Sequence, residues 1–273
     1  MSAKSERLPR RTDHPAVRPT TEPVGSVERL QRTLARAGYG SRRSVEELIR
    51  DGRVRVGERV AQLGDRANPA KDRISVDGVP VPSHPELRYY VLHKPVGVTS
   101  TLRDAHARRS LAPLLPRGPR VFPVGRLDRE SEGLILLTND GELAHRLQHP
   151  RYGVEKEYLV EIEGAASRAV ARALVRGVEL EDGPARALRA SVLEAGPKRS
   201  AISVVLAEGR KREVRRMLAA LGHPVQRLVR IRIGPVRDAR LPPGRSRPLT
   251  PEEITGLYTV TELRRASPAR RRT

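Results

Sequence analysis

Hydrophobic residues in the first third of the chain follow a helical spacing and then a strand spacing. The helical spacing appears in two short segments, which carry Leu30, Leu34 and Ala37 and then Val45, Leu48 and Ile49. Ser41 precedes the second segment and can cap it as a helix. Strand patterns follow at residues 53–56 and 72–78. We therefore predict a compact module of two helices and a few strands over residues 28–82.

Beyond residue 88 the pattern alternates between extended and helical segments. A strand is predicted from Tyr89, with a break at Pro95. Further extended segments are predicted at residues 121–124, 134–137, 158–163, 178–181, 185–193 and 201–206. Helices are predicted at residues 142–148 and 165–176, in a segment that ends at Gly222, and from Thr250. Because the connections are short, we expect an α+β fold with a mostly antiparallel sheet and flanking helices.

The connecting segments set the expected domain boundaries. Residues 1–27 are rich in Arg, Pro, Ser and Thr and contain few apolar side chains, which predicts a disordered basic arm. A proline-rich stretch then predicts a stiff linker at residues 83–87. The second domain is expected over residues 88–257, with a long Arg- and Pro-rich loop at 102–120. A basic tail is expected over residues 258–273.

The charge balance points to a polyanionic partner. The 273 residues include 53 Lys and Arg against 32 Asp and Glu, a net charge of +21, and the isoelectric point is near 11.3. Nucleic acid is the simplest candidate, and no long apolar span favours a membrane. The absence of cysteine excludes disulfides and thiolate chemistry. The first residues lack the apolar core of a secretory signal, so we expect a cytoplasmic protein, and we expect a monomer.

Asp128 is the candidate catalytic residue. It lies in a polar segment between Arg126 and Arg129, and apolar runs on both sides of this segment predict a well-supported loop. Neighbouring cations favour the ionised carboxylate, which could act as a nucleophile or a base. The residue pattern alone is equally compatible with an ordinary turn residue.

The sequence GRLDRESEGLILLTNDGELAHRL, from Gly125 to Leu147, resembles the signature of the RsuA/RluB-type pseudouridine synthases, which isomerise uridines in ribosomal RNA. The resemblance continues through KEYLV, EGRKREVRRM and GHPVQRLVRIRIGP. It implies that Asp128 carries out the chemistry, that Tyr158 stacks on the target base and that Arg215 pairs with the aspartate. It also implies that Leu228 lines the base pocket, with Ile231 as the alternative. The reaction implied needs no cofactor and no metal.

Several basic residues are expected to contact RNA. The sequence RLQRTLARAGYGSRRSVEELIRDGRVRV, from Arg29 to Val56, resembles the alpha-L RNA-binding module of a small-subunit ribosomal protein. Its basic positions are Arg32, Arg36, Arg42 and Arg43, which could also be a solvated helix face. In the second domain, HKPVG resembles the family's first motif and makes Lys94 a candidate contact. Arg126 is expected to fill the space left by a flipped nucleotide. Arg212 and Arg216 lie beside Arg215 on a helix start and form a candidate phosphate-binding surface.

Three other interpretations remain open. His145 and His149 have the spacing of a metal-binding pair, but no third ligand supports a metal site. A noncatalytic ribosome-assembly factor on the same scaffold would have the same charge, and the partner could be free ribosomal RNA or a pre-ribosomal particle. A glycosidase would need a second carboxylate, for which Glu130 or Glu132 could be nominated. The sequence does not identify the target uridine or distinguish nucleophilic attack from proton abstraction by Asp128.

Overall fold

The computed structural model describes residues 27–82, 86–102 and 109–262, apart from the side chain of Glu262. Almost all of the expected basic arm, most of the linker, part of the 102–120 loop and the end of the expected tail lie outside the described residues.

The N-terminal module packs two helices against small sheets. Ser41 caps the second helix by accepting a hydrogen bond from the main-chain N–H of Ser44 at 3.1 Å, as predicted. Leu30, Leu34 and Val45 are fully buried in its core. The elements in chain order are β1 (Glu28–Arg29), α1 (Leu30–Arg36), α2 (Arg42–Arg50), β2 (Val54–Val56), β3 (Arg59–Val60), β4 (Arg66–Ala67), β5 (Ile74–Val76) and β6 (Val79–Pro80). Strands β3, β2, β5 and β6 form one antiparallel sheet, and β1 pairs with β4.

The second domain is built on a large mixed sheet. Its strands are β7 (Tyr89–Lys94), β8 (Phe122–Val124), β9 (Glu132–Thr138), β10 (Lys156–Glu163), β11 (Arg189–Ala195), β12 (Arg199–Leu206), β13 (Val225–Ile233), β14 (Val236–Arg237) and β15 (Ser246–Pro248). Its helices are α3 (Gly141–Gln148), α4 (Arg168–Arg176), α5 (Glu213–Ala220) and α6 (Pro251–Glu262). Short 3₁₀ helices span Ala112–Leu114 and Pro150–Tyr152.

The strands run in the order β11-β12-β10-β13-β9-β7-β15, with β14 beside β13 and β8 beside β9. All these pairs are antiparallel except β9 with β13, which is parallel. The expected α+β class with a mostly antiparallel sheet is confirmed. At the parallel pair, a Cβ on Gly133 would lie 2.3 Å from the carbonyl oxygen of Arg230. Only glycine allows the two strands to approach this closely.

Helices pack on both faces of the sheet, and the strand residues that they bury are apolar. On β10, Tyr158, Val160 and Ile162 are buried in the cluster that also takes Val214, Met217 and Leu218 from α5. All seven residues of β9 are buried, because its alternate side chains enter two different clusters. This double burial explains the continuous apolar run within the strand.

Several predicted elements differ in extent from the structure, and three of the differences have a clear physical cause. Helix α4 begins at Arg168 rather than at 165, because the Ser167 hydroxyl accepts the N–H of Ala169 and caps it. The predicted strand at 178–181 is wrong: Val178 forms only an isolated bridge with Ala185. Helix α6 continues to Glu262, beyond the predicted domain end at 257, because its last turns remain packed on the domain and Thr261 is fully buried.

Asp140 connects α3, α6 and β7. One carboxylate oxygen accepts the main-chain N–H groups of Glu142 and Leu143 at 3.1 and 3.0 Å, which confirms the predicted cap. The other oxygen accepts the hydroxyls of Tyr89 and Tyr258. Burial, and then the charge of Asp140, raise the pKa of both tyrosines, so both hydroxyls remain donors.

We expect Asp140→Ala to lower the free energy of unfolding by about 2–4 kcal/mol, because it removes the cap and leaves two largely buried hydroxyls without their acceptor. Urea unfolding monitored by circular dichroism measures the change. Asp140→Asn retains a capping oxygen and is the matched control, with an expected loss of less than half. Equal stability of the alanine variant and the wild type would contradict this role.

Candidate active site

The loop between β8 and β9 carries Asp128, and the surrounding chain fixes its backbone. The Ser100 hydroxyl accepts the N–H of Leu127 at 2.9 Å and donates to the Leu127 carbonyl at 2.7 Å. The N–H of Gly97 donates to the Arg129 carbonyl at 2.8 Å. Leu127 is buried, Asp128 is half-buried and Arg126 is exposed. The loop thus presents a partly desolvated carboxylate on an anchored backbone.

Arg215, on α5, ties this loop to the rest of the domain. Its guanidinium donates to the carbonyls of Glu130 at 2.9 Å and of Val225 at 3.1 Å. Burial and the nearby Arg212 lower the pKa of Arg215, whereas Glu130 and Asp128 favour its charged form. Both hydrogen bonds that the structure gives Arg215 therefore go to main-chain carbonyls, and its interaction with Asp128 is electrostatic.

Tyr158 and Leu228 lie in the apolar cluster next to Asp128. Tyr158 on β10 is 7% exposed and shares this cluster with Leu127 and with Leu228 on β13. Ile231, the alternative to Leu228, is half-buried and is not among the described members of the cluster. The structure thus places Leu127, the chain neighbour of Asp128, in one cluster with Tyr158 and Leu228. Arg215 is an electrostatic neighbour of Asp128.

Lys94 does not lie where an RNA contact requires it, and that prediction is wrong. Its side chain is 0% exposed, and its ammonium donates to the carbonyls of Pro95 and Val98 at 2.9 and 2.8 Å. Burial lowers the pKa of Lys94 to about 8, while Glu132 and Asp128 favour the charged form. Lys94 therefore supports the segment beside the Asp128 loop and contributes positive charge from beneath it.

The two remaining arginines of α5 and its cap differ in their contacts. Arg212 is exposed, and its guanidinium pairs with the Glu130 carboxylate at 2.7 Å. A main-chain hydrogen bond, together with Arg212, holds the pKa of Glu130 below its ordinary value. Arg216 instead forms two hydrogen bonds with Asp182, at 2.7 and 3.0 Å. Arg212 therefore belongs to the Asp128 site, whereas Arg216 is directed toward the 178–185 segment.

The arginines of the N-terminal module fall into two groups. Arg32 and Arg36 are half-buried and pair with Glu28, and Arg32 also lies 3.6 Å from Glu142 on α3 of the second domain. Arg42 and Arg43 are exposed at the start of α2. A pocket of about 500 Å³ in this module is lined by four arginines: Arg29, Arg32, Arg42 and Arg66. The sequence pattern did not distinguish paired arginines from exposed ones.

The candidate histidine pair makes local contacts. The rings of His145 and His149 are 5.4 Å apart, and Nδ1 of His149 accepts the N–H of Arg151 at 3.2 Å. In the described ranges, no three His, Asp or Glu side chains are grouped as a metal would need.

None of the helices in those ranges is both long enough and apolar enough to cross a membrane.

Comparisons with known proteins identify the family. Residues 88–220 match the RNA pseudouridylate synthase family, and residues 28–74 match the S4 domain. The chain is 44% identical to ribosomal large subunit pseudouridine synthase B of Vibrio cholerae over 244 residues, covering 87% of this chain and 76% of the relative. It is 39% identical to the protein of that name from Bacillus subtilis over 241 residues, covering 86% and 98%.

A solved structure agrees with these matches. A crystal structure described as a pseudouridylate synthase aligns with a TM-score of 0.59 and 29% identity, covering 84% of this chain and 99% of the other. The fold and the sequence thus define an RNA-modifying isomerase. The chain belongs to the RsuA/RluB-type RNA pseudouridine synthase family.

We expect Lys94→Met to destabilise the protein by about 1–3 kcal/mol, because it leaves two carbonyl oxygens without their buried donor. It also removes a positive charge next to Asp128, so the reaction rate should fall as well. Urea unfolding and initial rates measure the two effects. Lys198→Met, at an exposed lysine, is the control. Full stability and full activity of Lys94→Met would contradict both the structural and the electrostatic role of the Lys94 ammonium.

Proposed function

We propose that this protein converts specific uridines of ribosomal RNA to pseudouridine, with Asp128 as the essential catalytic group. The observation that supports this most is one half-buried carboxylate that interacts electrostatically with both Arg215 and Lys94. Its chain neighbour Leu127 lies in the apolar cluster that contains Tyr158 and Leu228. Such a site can hold a planar uncharged base against an apolar wall while an ionised carboxylate faces its sugar.

The chemistry requires that carboxylate. The bond between C1′ of the ribose and N1 of uracil breaks, the base rotates and a new bond forms between C1′ and C5. The hydrogen at C5 leaves as a proton, and N1 takes up a proton from the solvent. Asp128 either attacks C1′ or removes a ribose proton, and both routes start from the ionised form. Arg215 fixes the loop backbone and supplies positive charge. Tyr158, of which 7% is exposed, stacks its aromatic ring on the uracil.

Access to the sugar of a stacked nucleotide requires that the base first leaves its helix, at a cost of a few kcal/mol. Arg126 is exposed and adjacent to buried Leu127, which suits a side chain that occupies the vacated space in the RNA. Arg42 and Arg43 are exposed and can bind phosphates. We propose that these contacts offset the cost of extrusion.

Ribosomal RNA is the proposed substrate, and two observations support it. Relatives that cover most of this chain are named for the large ribosomal subunit. The N-terminal S4 match brings a second basic module to the same polypeptide. We propose that the protein acts as a monomer in the cytoplasm, on free ribosomal RNA or on a pre-ribosomal particle.

The competing functions fit the site less well. A glycosidase needs a second free carboxylate, but Glu130 is paired with Arg212, and Glu132 is buried and bonded to Arg227. A noncatalytic assembly factor has no need for a carboxylate loop anchored by Ser100 and Arg215. A glycosidase would lack its second carboxylate, and an assembly factor would leave the anchored Asp128 loop without a role.

We predict that Asp128→Asn reduces pseudouridine formation by more than about 1,000-fold while ribosomal RNA binding stays within a few fold, because the amide fills the same space without the charge. Release of tritium from ribosomal RNA labelled at C5 of uridine measures the reaction, and filter binding measures affinity. Glu194→Gln, at an exposed glutamate on β11, is the control and should retain most activity. Appreciable turnover by Asp128→Asn would refute the catalytic role.

For Tyr158 we expect a graded result. Tyr158→Phe keeps the ring and its packing with Leu228, so binding should be unchanged and only steps that use the hydroxyl should slow. Tyr158→Leu keeps apolar volume but removes the aromatic face, which is worth about 1–3 kcal/mol per stacked base. Its kcat/KM should fall by about 5- to 150-fold. Full activity of Tyr158→Leu, with an unchanged melting temperature, would argue against stacking.

A further inference from the structure

Two neighbouring carboxyl groups lie at the start of α5: Glu208 in the turn before the helix and Glu213 as its first residue. Glu213 is 3% exposed, and one of its oxygens accepts the main-chain N–H of Arg210 at 3.0 Å. Its other oxygen is buried and forms no hydrogen bond to an N–H donor of the described residues. The Glu208 carboxyl is near enough for the two groups to shift each other's pKa in the sense that a hydrogen bond between them would. Two carboxyl groups can form such a bond only if one of them carries a proton.

The proton belongs on Glu213. Burial, and then the hydrogen bond with Glu208, raise the pKa of Glu213 to about 7. Burial also opposes ionisation of Glu208, but the bonds from Glu213 and Arg210 outweigh it and leave the pKa of Glu208 lowered. Glu213 therefore donates and Glu208 accepts, and near neutral pH this arrangement is close to its titration point.

Charged groups from three other parts of the fold face the pair. The Arg210 guanidinium lies 3.2 Å from Glu208 and 3.9 Å from Glu213, and it also lies 3.6 Å from Asp182. On α5, Arg216 is attracted to both Asp182 and Glu213. On β10, Lys156 is buried and faces Glu213 electrostatically. Ionisation of Glu213 would place a third negative charge next to Glu208 and Asp182.

The same turn controls the contacts of the Asp128 loop. Arg212 follows it directly and has a left-handed backbone, with φ of 53°. A non-glycine residue keeps this conformation only when its surroundings hold it there. Arg212 binds the side chain of Glu130, and Arg215 binds the main chain of Glu130. A displacement of the turn is therefore transmitted to the loop that carries Asp128.

We infer that Glu213, as a carboxylic acid bonded to Glu208 and to the Arg210 N–H, is a positioning residue for the isomerisation: it holds the turn that sets Arg212 and Arg215 against the Asp128 loop. This inference rests on the proposed function. Glu213 touches no substrate and acts through the two arginines. The active form is the protonated one, so activity declines as Glu213 ionises.

The test is the pH dependence of kcat and KM for tritium release from C5-labelled ribosomal RNA between pH 6 and 8. For the wild type, kcat should fall by about tenfold across this range, as expected for loss of one proton near pH 7, while KM changes much less. Glu213→Gln has the same shape, accepts the Arg210 N–H and donates to Glu208, so its kcat should stay near the wild-type pH 6 value throughout. Glu208→Gln removes two influences that raise the pKa of Glu213, so the fall in kcat should move to lower pH. Glu194→Gln, at an exposed glutamate on β11, should keep the wild-type profile.

A second measurement requires no RNA. The folded-state pKa of Glu213 is raised above its unfolded value, so Glu213 should make the wild type less stable as pH rises from about 4.5 to 7. The melting temperature of Glu213→Gln should lack this decline. If wild type and Glu213→Gln share one pH profile of kcat, or one pH profile of melting temperature, the inference is wrong. If the wild type releases no tritium at any pH, the proposed function fails instead.

Discussion

The guanidinium of Arg215 joins the three parts of the chain on which the candidate site depends. It extends from helix α5 to the carbonyl of Glu130 in the Asp128 loop and to the carbonyl of Val225 at the start of β13. These are charge-assisted hydrogen bonds in a half-buried setting, where they are stronger than in water. Without them, the loop would be held mainly by Ser100 and by the N–H of Gly97. The position of the Asp128 carboxylate is thus set by a hydrogen bond from Arg215 to the backbone of its loop, at Glu130.

Many arginines of this positively charged chain are paired with carboxylates within the fold, and others are exposed. On the sheet, Glu155 binds both Arg189 and Arg232, and on the N-terminal module Glu28 binds Arg32 and Arg36. These arginines stabilise the fold and are not simply available to a polyanion. The exposed arginines of the Asp128 loop and of the α2 start remain, and they lie on both modules. Net charge therefore indicates the kind of partner but does not locate the interface.

Local patterns in the sequence predicted the elements that depend on local rules. The apolar stripe of α5, the capping of α2 by Ser41 and the capping of α3 by Asp140 follow from spacing and cap chemistry, and each is present. The strand expected at 178–181 is absent because such a strand needs a partner of matching length, and Val178 pairs only with Ala185. The last turns of α6 were missed because their stability comes from Asp140, more than a hundred residues earlier.

The candidate site was only partly predictable, for the same reason. Motif resemblance nominated Asp128, Tyr158 and Arg215. In the structure, Leu127 shares an apolar cluster with Tyr158, and Arg215 is an electrostatic neighbour of Asp128. It could not show that Lys94 is enclosed by the turn that follows it, or that Glu213 is buried against Glu208. The environment of a charged side chain depends on how the backbone folds around it, and hydrophobic periodicity carries no information about that.

The central claim is that the directional hydrogen bonds of Arg215, in addition to its charge, hold the Asp128 loop in its active geometry. The most direct measurement is kcat for tritium release by Arg215→Lys. Lysine keeps the positive charge but replaces the planar guanidinium, whose two terminal nitrogens reach the carbonyls of Val225 and Glu130, by a single nitrogen. The account predicts that kcat falls by about 10- to 100-fold while the affinity for ribosomal RNA is unchanged. A lysine variant with wild-type kcat would contradict it.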